Sequence, residues 1–230
     1  MKTIGLIGGM SWESSIEYYR IINEAVRERL GGLHSAKCLM FSVDFADIEH
    51  LQRTGQWEQA VHLLIDAGRR LERGGADLVV LCTNTMHKVA EALQAAIGIP
   101  LLHIADPTAA AVRAAGLTTV GLLGTRFTME EAFYRTRLVD QGLTVLIPEP
   151  TDRAIVHRVI YEELVVGAIR PEARDAFHRI TDGLGRSGAQ GIILGCTEIG
   201  LLVKPEDSAL PLFDTTMLHA LAAVDAALQA

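Results

Sequence analysis

The chain has 230 residues, of which 49% are hydrophobic and 21% are charged, and its formal net charge is −7 at pH 7. This length and composition are typical of one large or two compact globular domains and argue against disorder. The negative charge argues against a nucleic-acid-binding protein, which usually presents a basic face. No apolar run is long enough to cross a bilayer, and residues 1–9 lack the apolar core of a signal peptide. We therefore expect a cytoplasmic protein without a membrane partner.

Short apolar runs alternate with stretches of helical periodicity along the whole chain. This alternation predicts an α/β fold with mostly parallel strands. The predicted strands are 3–7, 37–42, 78–81, 101–104, 120–123, 144–146, 191–194 and 212–213. The predicted helices are 14–30, 57–73, 85–96, 107–115, 129–140, 152–166 and 171–184, with a last helix from about residue 216.

The two halves of the chain repeat one pattern. The repeat period is far longer than the roughly 20–50 residues of a solenoid repeat, so the pattern indicates a duplicated lobe. Four matches occur in the same order: Thr3-Ile-Gly-Leu-Ile-Gly8 with Thr119-Val-Gly-Leu-Leu-Gly124, Tyr18 with Tyr134, Gly75-Ala76 through Cys82-Thr83 with Gly188-Ala189 through Cys196-Thr197, and Ile99-Pro-Leu-Leu102 with Leu210-Pro-Leu-Phe213.

The duplication predicts two lobes related by a pseudo-twofold axis, residues 1–98 with 214–230 and residues 99–213. Ligands often bind in clefts between lobes, and equivalent residues of two such lobes face each other there. Cys82 and Cys196 occupy equivalent positions, so we expect them to lie opposite each other. Cys38 has no counterpart and lies within a predicted strand, which indicates core packing. The wide spacing of the three cysteines argues against disulfides and a zinc site.

Cys82 and Cys196 each follow a predicted strand and precede a turn into a helix. Ligands collect at the carboxyl edge of a parallel sheet, and a helix N-terminus lowers the pKa of a nearby thiol. We therefore expect an increased thiolate fraction at Cys82. The neighbouring polar side chains are candidates to hold a substrate carboxylate or ammonium: Thr83, Asn84, Thr85 and Thr197.

A pair of thiols suits racemisation, which removes a proton from one face of a carbon and returns one to the other. A thiolate and a thiol on opposite faces meet that need, and the reference pKa of cysteine, about 8.5, is easily shifted toward neutral pH. No electron-sink cofactor is evident, so helix-end amides would stabilise the carbanion. The residues predict a cofactor-independent amino-acid racemase with Cys82 and Cys196 as its acid–base groups.

Motifs spread over the chain resemble the aspartate/glutamate racemase family, in particular its bacterial broad-specificity members. The resemblance implies a four-stranded parallel sheet flanked by helices in each lobe, a homodimer, a small amino-acid substrate, and neither pyridoxal phosphate nor a metal. It also implies that Cys82 and Cys196 are catalytic. The motifs are Ile4-Gly-Leu-Ile-Gly-Gly-Met-Ser-Trp12, Ser42-Val-Asp-Phe45, Leu81-Cys-Thr-Asn-Thr-Met-His87 and Gly195-Cys-Thr-Glu-Ile199.

The same resemblance implies further substrate contacts. Met10 and Ser11 lie in the first turn, which can equally be read as a plain strand-to-helix turn. Glu198 is a candidate for a separate reason, its position beside Cys196: it either raises the pKa of that thiol or binds the substrate ammonium. The full set of substrate-binding candidates is Met10, Ser11, Gln52, Thr83, Asn84, Thr85, Thr125, Thr197 and Glu198.

One departure from the family concerns the substrate. The resemblance implies that aspartate-specific members hold the second carboxylate with an Arg after the Asp-Phe segment and a Lys in a later helix. Here the predicted helix 152–166 contains no Lys, and Arg53 lies beside a predicted loop, where an Arg is usually solvated. Neutral or mixed substrates are therefore at least as well supported as aspartate.

Several other functions fit parts of the sequence. A dinucleotide site would need G-x-G-x-x-G spacing, which the first turn lacks. A cysteine hydrolase with His87, His103 or His219 as base would leave Cys196 without a role. Related two-cysteine folds that isomerise maleate or racemise hydantoins are the main alternative, and a non-catalytic amino-acid-binding protein is a second one.

Overall fold

Two four-stranded parallel sheets organise the chain in the computed structural model, which describes residues 1–229. The first unit comprises residues 1–103 together with the segment from His219 onward, and the second comprises residues 104–218. Helices flank each sheet, which confirms the α/β fold with two similar lobes. No helix within residues 1–229 is long and apolar enough to cross a membrane.

In the first unit every neighbouring pair of strands runs parallel. Its strands are β1 (Ile4–Gly8), β2 (Cys38–Ser42), β3 (Leu78–Leu81) and β4 (Leu101–Leu102). They lie in the order β2-β1-β3-β4. The helices that precede β4 are α1 (Trp12–Leu30), α2 (Phe45–Thr54), α3 (Trp57–Arg73), a 3₁₀ helix (Thr85–Val89) and α4 (Ala90–Ala95).

The second unit has the same strand arrangement. Its strands are β5 (Thr119–Gly124), β6 (Thr144–Leu146), β7 (Gly191–Gly195) and β8 (Leu212–Asp214). They lie in the order β6-β5-β7-β8, again all parallel. The remaining helices are α5 (Ala105–Ala114), α6 (Arg126–Glu130), α7 (Ala132–Val139), α8 (Pro150–Glu162), α9 (Pro171–Arg186), α10 (Ile199–Leu202) and α11 (Thr215–Leu228), with 3₁₀ helices at Leu164–Val166 and Pro205–Asp207.

The structure differs from the sequence-based elements at several points. Helix α2 was not predicted, although Asp44 caps its start and Gly55, with a left-handed φ of 73°, ends it. Predicted helix 129–140 is two helices, because Glu131 is extended between them. Predicted helix 85–96 begins as a 3₁₀ helix. The strand Leu101–Leu102 pairs with β3, so it belongs to the first sheet, whereas the boundary at 98/99 had placed it in the second lobe.

Helices cover both faces of each sheet, so the central strands are fully buried. In the first unit, α3 packs against the face that contains Ile7, and α1 with α11 covers the face that contains Leu6. In the second unit, α8 and α9 cover one face, and α5 with α7 covers the other. A parallel sheet buried on both faces aligns the carboxyl ends of its strands along one edge.

Glycines at the central strands make room for this close packing. A Cβ on Gly195, the last residue of β7, would lie 2.8 Å from the Leu123 carbonyl oxygen of the neighbouring strand. A Cβ on Gly183, inside α9, would meet no atom closer than 3.8 Å. The two positions therefore differ in steric room although both are glycine.

We expect Gly195→Ala to lower the free energy of unfolding by about 1–3 kcal/mol, because the strands would have to separate. Gly183→Ala is the matched control and should raise it by about 0.5–1 kcal/mol, since alanine stabilises a helix interior relative to glycine. Urea unfolding of both variants measures the difference. Equal effects would contradict the packing argument.

Candidate active site

The candidate residues of the first unit follow two neighbouring strands. Ile7 of β1 pairs with Leu81 of β3, so the residues that follow the two strands leave the sheet at the same edge. These residues are Met10 and Ser11 after β1 and Cys82 after β3, and all three are buried. The Cys82 N–H donates to the Ile7 carbonyl at 2.9 Å, which fixes the start of the Cys82 turn to β1.

Serine side chains hold the turn after β1. The Ser11 side chain caps α1 by accepting from the Ser14 N–H at 3.4 Å. The Ser15 hydroxyl donates to the Ser11 carbonyl at 2.8 Å and accepts from the Gly9 N–H at 2.8 Å. Ser11 is thus built into the helix start, and Ser14 and Ser15 are positioning residues that the sequence analysis did not identify.

The Cys82 thiol lies in an apolar environment. Its residue is 0% exposed, and its Sγ donates to the Val80 carbonyl at 3.7 Å. Burial, and secondarily the Cys38 thiol, raises the pKa of Cys82 well above its ordinary value. The expectation of a lowered pKa and an increased thiolate fraction at Cys82 is therefore wrong, because burial desolvates the thiolate.

The polar candidates near Cys82 are also buried. Thr83, Asn84 and Thr85 are each at most 7% exposed. Gln52 lies on α2, and its side-chain amide donates to the Met86 sulfur at 3.0 Å, which brings it to the segment that follows Cys82. Arg53, the next residue on α2, points the other way: its side chain is 63% exposed and bonds to Glu49.

A group of histidines lies next to the turn that contains Cys82 and Thr83. The His87 Nδ1–H donates to the Thr83 carbonyl at 2.7 Å, and the His87 ring lies 4.5 Å from that of His103. His219 is bonded on both nitrogens, to the Tyr18 hydroxyl at 2.9 Å and to the Leu102 carbonyl at 3.0 Å. Within residues 1–229, no three His, Cys, Asp or Glu side chains are placed to hold a metal ion.

In the second unit, Cys196 follows β7 and forms a compact group with its neighbours. Its thiol donates to Glu198 Oε2 at 2.9 Å, and the Thr197 hydroxyl donates to the same oxygen at 3.0 Å. All three residues are buried, and Glu198 is only 1% exposed. Burial and then the Glu198 carboxylate raise the pKa of Cys196 well above its ordinary value, against a smaller opposite effect of the Thr197 and Glu198 N–H groups.

Thr125 has in the second unit the helix-capping role that Ser11 has in the first. It follows β5 and caps α6 by accepting from the Thr128 N–H at 3.3 Å. Gly124 of β5 pairs with Gly195 of β7, so Thr125 and Cys196 leave that sheet at one edge. Thr216, which the sequence analysis did not identify, supports the same turn by donating to the Thr197 carbonyl at 3.4 Å.

The third cysteine, Cys38, lies on the edge strand β2 and is half-buried rather than in the core interior. It packs against the cluster that contains Cys82, and burial raises its pKa to about 11. An edge strand has a neighbouring strand on one side only. Cys38 is therefore more exposed than the core packing expected from the sequence.

The comparisons with known proteins agree with one another, because the matching profile and the similar proteins named below are all described as racemases or racemase homologues. A family profile described as Asp/Glu/Hydantoin racemase matches residues 7–223. The broad specificity amino-acid racemase RacX of Bacillus subtilis is 26% identical over 156 residues, which are 66% of this chain and 66% of RacX. A Yersinia pestis crystal structure, described as a candidate Asp/Glu racemase, is 56% identical over all of both chains with a TM-score of 0.92. A Pyrococcus horikoshii aspartate racemase homologue is 33% identical over all of both chains with a TM-score of 0.85.

We expect Glu198→Gln to lower the pKa of the Cys196 thiol, because the neutral amide no longer repels the thiolate at 2.9 Å. Alkylation by iodoacetamide across a pH series, followed by mass spectrometry of each cysteine peptide, gives an apparent midpoint for each thiol. The Cys196 midpoint should fall. Cys38 in the same sample is the internal control and should keep its midpoint, and an unchanged Cys196 midpoint would contradict the assigned role of Glu198.

Proposed function

Since this chain belongs to the Asp/Glu/hydantoin racemase family and is an isomerase of the racemase type, we propose that it racemises free amino acids through Cys82 and Cys196. One thiolate removes the Cα proton of the substrate, and the other thiol delivers its proton to the opposite face. The first cysteine ends as a thiol and the second as a thiolate, and the substrate leaves with inverted configuration.

The observation that carries this proposal is the equivalence of the two cysteines. Each one is buried, follows the strand that is third in chain order within its sheet, and precedes a threonine. A thiol needed only for packing has no reason to recur at the same place in both units. Two acid–base groups with the same placement are what a reaction at both faces of one carbon requires.

Glu198 makes the two thiols unequal. Its carboxylate accepts the Cys196 proton in a hydrogen bond and opposes loss of that proton, whereas Cys82 bonds only to a neutral carbonyl. The ammonium of a bound substrate would lower the pKa of both thiols, and at Cys196 the Glu198 charge offsets that effect. We propose that Cys82 loses its proton to solvent when substrate binds and that Cys196 stays protonated as the acid.

Apart from Glu198, the side chains that bind the substrate in this proposal are uncharged. The hydroxyls of Thr83, Thr85 and Thr197 and the amide of Asn84 would hold the α-carboxylate and ammonium, and buried hydrogen bonds to the carboxylate would stabilise the carbanion. The remaining substrate-binding candidates are Met10, Ser11, Gln52, Thr125 and Glu198. Ser11 and Thr125 hold the turns beside the two cysteines.

The charges of the candidate residues favour neutral substrates. Glu198 is the one acidic residue among the substrate-binding candidates, and none of them is basic. Arg53, which could have bound a second carboxylate, is exposed and bonded to Glu49. A substrate such as aspartate would bring a second carboxylate with no Lys or Arg among the candidate residues to meet it, which is costly in a buried site.

Three further parts of the proposal rest on the family resemblance and on composition: the enzyme uses no cofactor, acts in the cytoplasm, and is a homodimer.

On α1, Trp12, Ile16 and Tyr19 are each more than half exposed and follow helical spacing. Exposed apolar stripes of this kind are often covered in oligomers. Light scattering at twice the chain mass of 24.9 kDa would support the dimer.

A substrate panel tests the reaction. Purified protein is incubated with single L-amino acids and the D enantiomer is measured by chiral chromatography. We expect several neutral amino acids to be racemised faster than aspartate, because the candidate residues lack a cation. Monosubstituted hydantoins and maleate are included, and turnover of one of these with no amino-acid turnover would favour the related isomerases.

The two-base step is tested with the best substrate of that panel. Cys82→Ser and Cys196→Ser should each lower kcat by about 10²-fold or more, since acid–base catalysis contributes about 10²–10⁴-fold. In D₂O, Cys196→Ser should still exchange the α-proton of the single enantiomer that faces Cys82, which NMR detects, whereas Cys82→Ser should exchange more slowly because Glu198 keeps Cys196 protonated. Cys38→Ser is the matched control and should keep kcat. Full activity in either of the first two variants would rule out the paired-thiol step.

A further inference from the structure

The second unit contains a cavity of about 280 Å³ that no step of the proposed reaction uses. It lies at the end of β8, between α10 and the start of α11. Among its lining residues, Val203, Leu212, Phe213 and Leu218 provide an apolar wall. A water molecule occupies about 30 Å³ in the liquid, so this cavity has room for a small organic molecule.

Two charged side chains of opposite sign line this otherwise apolar cavity, Asp214 and Lys204. Asp214 Oδ1 caps α11 by accepting from the N–H groups of Thr216 at 2.8 Å and Met217 at 3.3 Å. Its other oxygen, Oδ2, faces Gly200, where a Cβ would lie only 2.6 Å away. The absence of a side chain at Gly200 therefore leaves the space that this second oxygen occupies.

The environment of Asp214 favours a cationic partner. Burial raises the pKa of the Asp214 carboxyl, which means that the negative charge lacks full solvation. The Lys204 ammonium donates to the Gly200 carbonyl at 2.7 Å and keeps hydrogen-bonding capacity on an exposed side chain. The cavity thus offers one anionic group, one cationic group and an apolar wall.

We propose that this cavity binds a free α-amino acid with an apolar side chain. The ligand ammonium would bond to Asp214 Oδ2, the ligand carboxylate to Lys204, and the side chain would pack against Val203, Leu212 and Phe213. Each charged end of the ligand would meet a side chain of opposite charge. An apolar side chain of the size of leucine fits the cavity volume.

This site is separate from the proposed substrate site in the same unit. None of its lining residues is Cys196, Thr197, Glu198 or Thr125. It is nevertheless close along the sheet, because Leu194 pairs with Asp214 and the Thr216 hydroxyl bonds to the Thr197 carbonyl. A ligand held by Asp214 would therefore sit one strand away from the Cys196 turn.

Methyl-¹³C methionine labelling of the full chain provides the test. Met217 lines the cavity and is 48% exposed, whereas Met10 is buried in the first unit beside the candidate substrate contacts. The probe is α-methyl-L-leucine, which has no α-proton and cannot be racemised. We expect a saturable shift of the Met217 methyl signal, identified by its loss in Met217→Leu.

Two half-molecules and three variants sharpen the result. Isovalerate lacks the ammonium and isoamylamine lacks the carboxylate, so each should bind at least about tenfold more weakly. Asp214→Asn retains an oxygen that can cap α11 and should weaken binding of the probe about tenfold or more, and Lys204→Met should also weaken it. Asp140→Asn, an exposed position outside the cavity, is the control.

Three outcomes would overturn the proposal. The first is the absence of a saturable Met217 shift, and the second is an affinity for the probe in Asp214→Asn and Lys204→Met that equals that of the unchanged protein. The third is a probe response confined to Met10. None of them bears on the racemase proposal, which the Cys82→Ser and Cys196→Ser assays decide. Conversely, an inactive chain that binds the probe at Met217 would leave the cavity proposal intact.

Discussion

Parallel pairing of two central strands is the constraint on which the candidate site depends. β1 pairs with β3 in the first unit and β5 pairs with β7 in the second. Parallel strands place their carboxyl ends at one edge, so the residues that follow each pair emerge side by side. Because helices bury both faces of each sheet, these ends cannot shift without disrupting the core. Ser11 and Cys82 in one unit, and Thr125 and Cys196 in the other, are placed by this pairing.

Burial then determines the acid–base character of the thiols. Charged thiolate is disfavoured in an apolar interior, and both cysteines are held as thiols by desolvation. Backbone N–H groups near Cys196 act in the opposite direction but with smaller effect. In the proposed reaction, the substrate charge therefore has to help form the thiolate, which would couple substrate binding to activation of the base.

The duplicated units keep the same framework and differ in the chemistry attached to it. The helix start after the first strand is capped by Ser11 in one unit and by Thr125 in the other. The second residue after the cysteine is Asn84 in one unit and Glu198 in the other. That single difference puts a carboxylate 2.9 Å from Cys196 and none at the equivalent place near Cys82. The two thiols therefore occupy equivalent places in the two sheets but have different hydrogen-bond partners.

The sequence by itself determined the framework. Strand β3 and helix α3 have the predicted bounds, and the repeat pairing Cys82 with Cys196 agrees with the identical strand orders. Hydrophobic periodicity and internal repetition are properties of neighbouring residues, so they can be read along the chain. Helix α2 was missed although Asp44 and Gly55 mark its ends.

Only the tertiary structure decided the electrostatics and the cavity. The pKa of Cys82 rises because its surroundings come from separate segments that exclude water, while its sequence neighbours suggest a helix end that would lower it. The juxtaposition of Asp214, Gly200 and Lys204 likewise arises only when α10 packs beside β8. Burial and charge proximity depend on which distant segments meet, and a local sequence pattern does not contain that information.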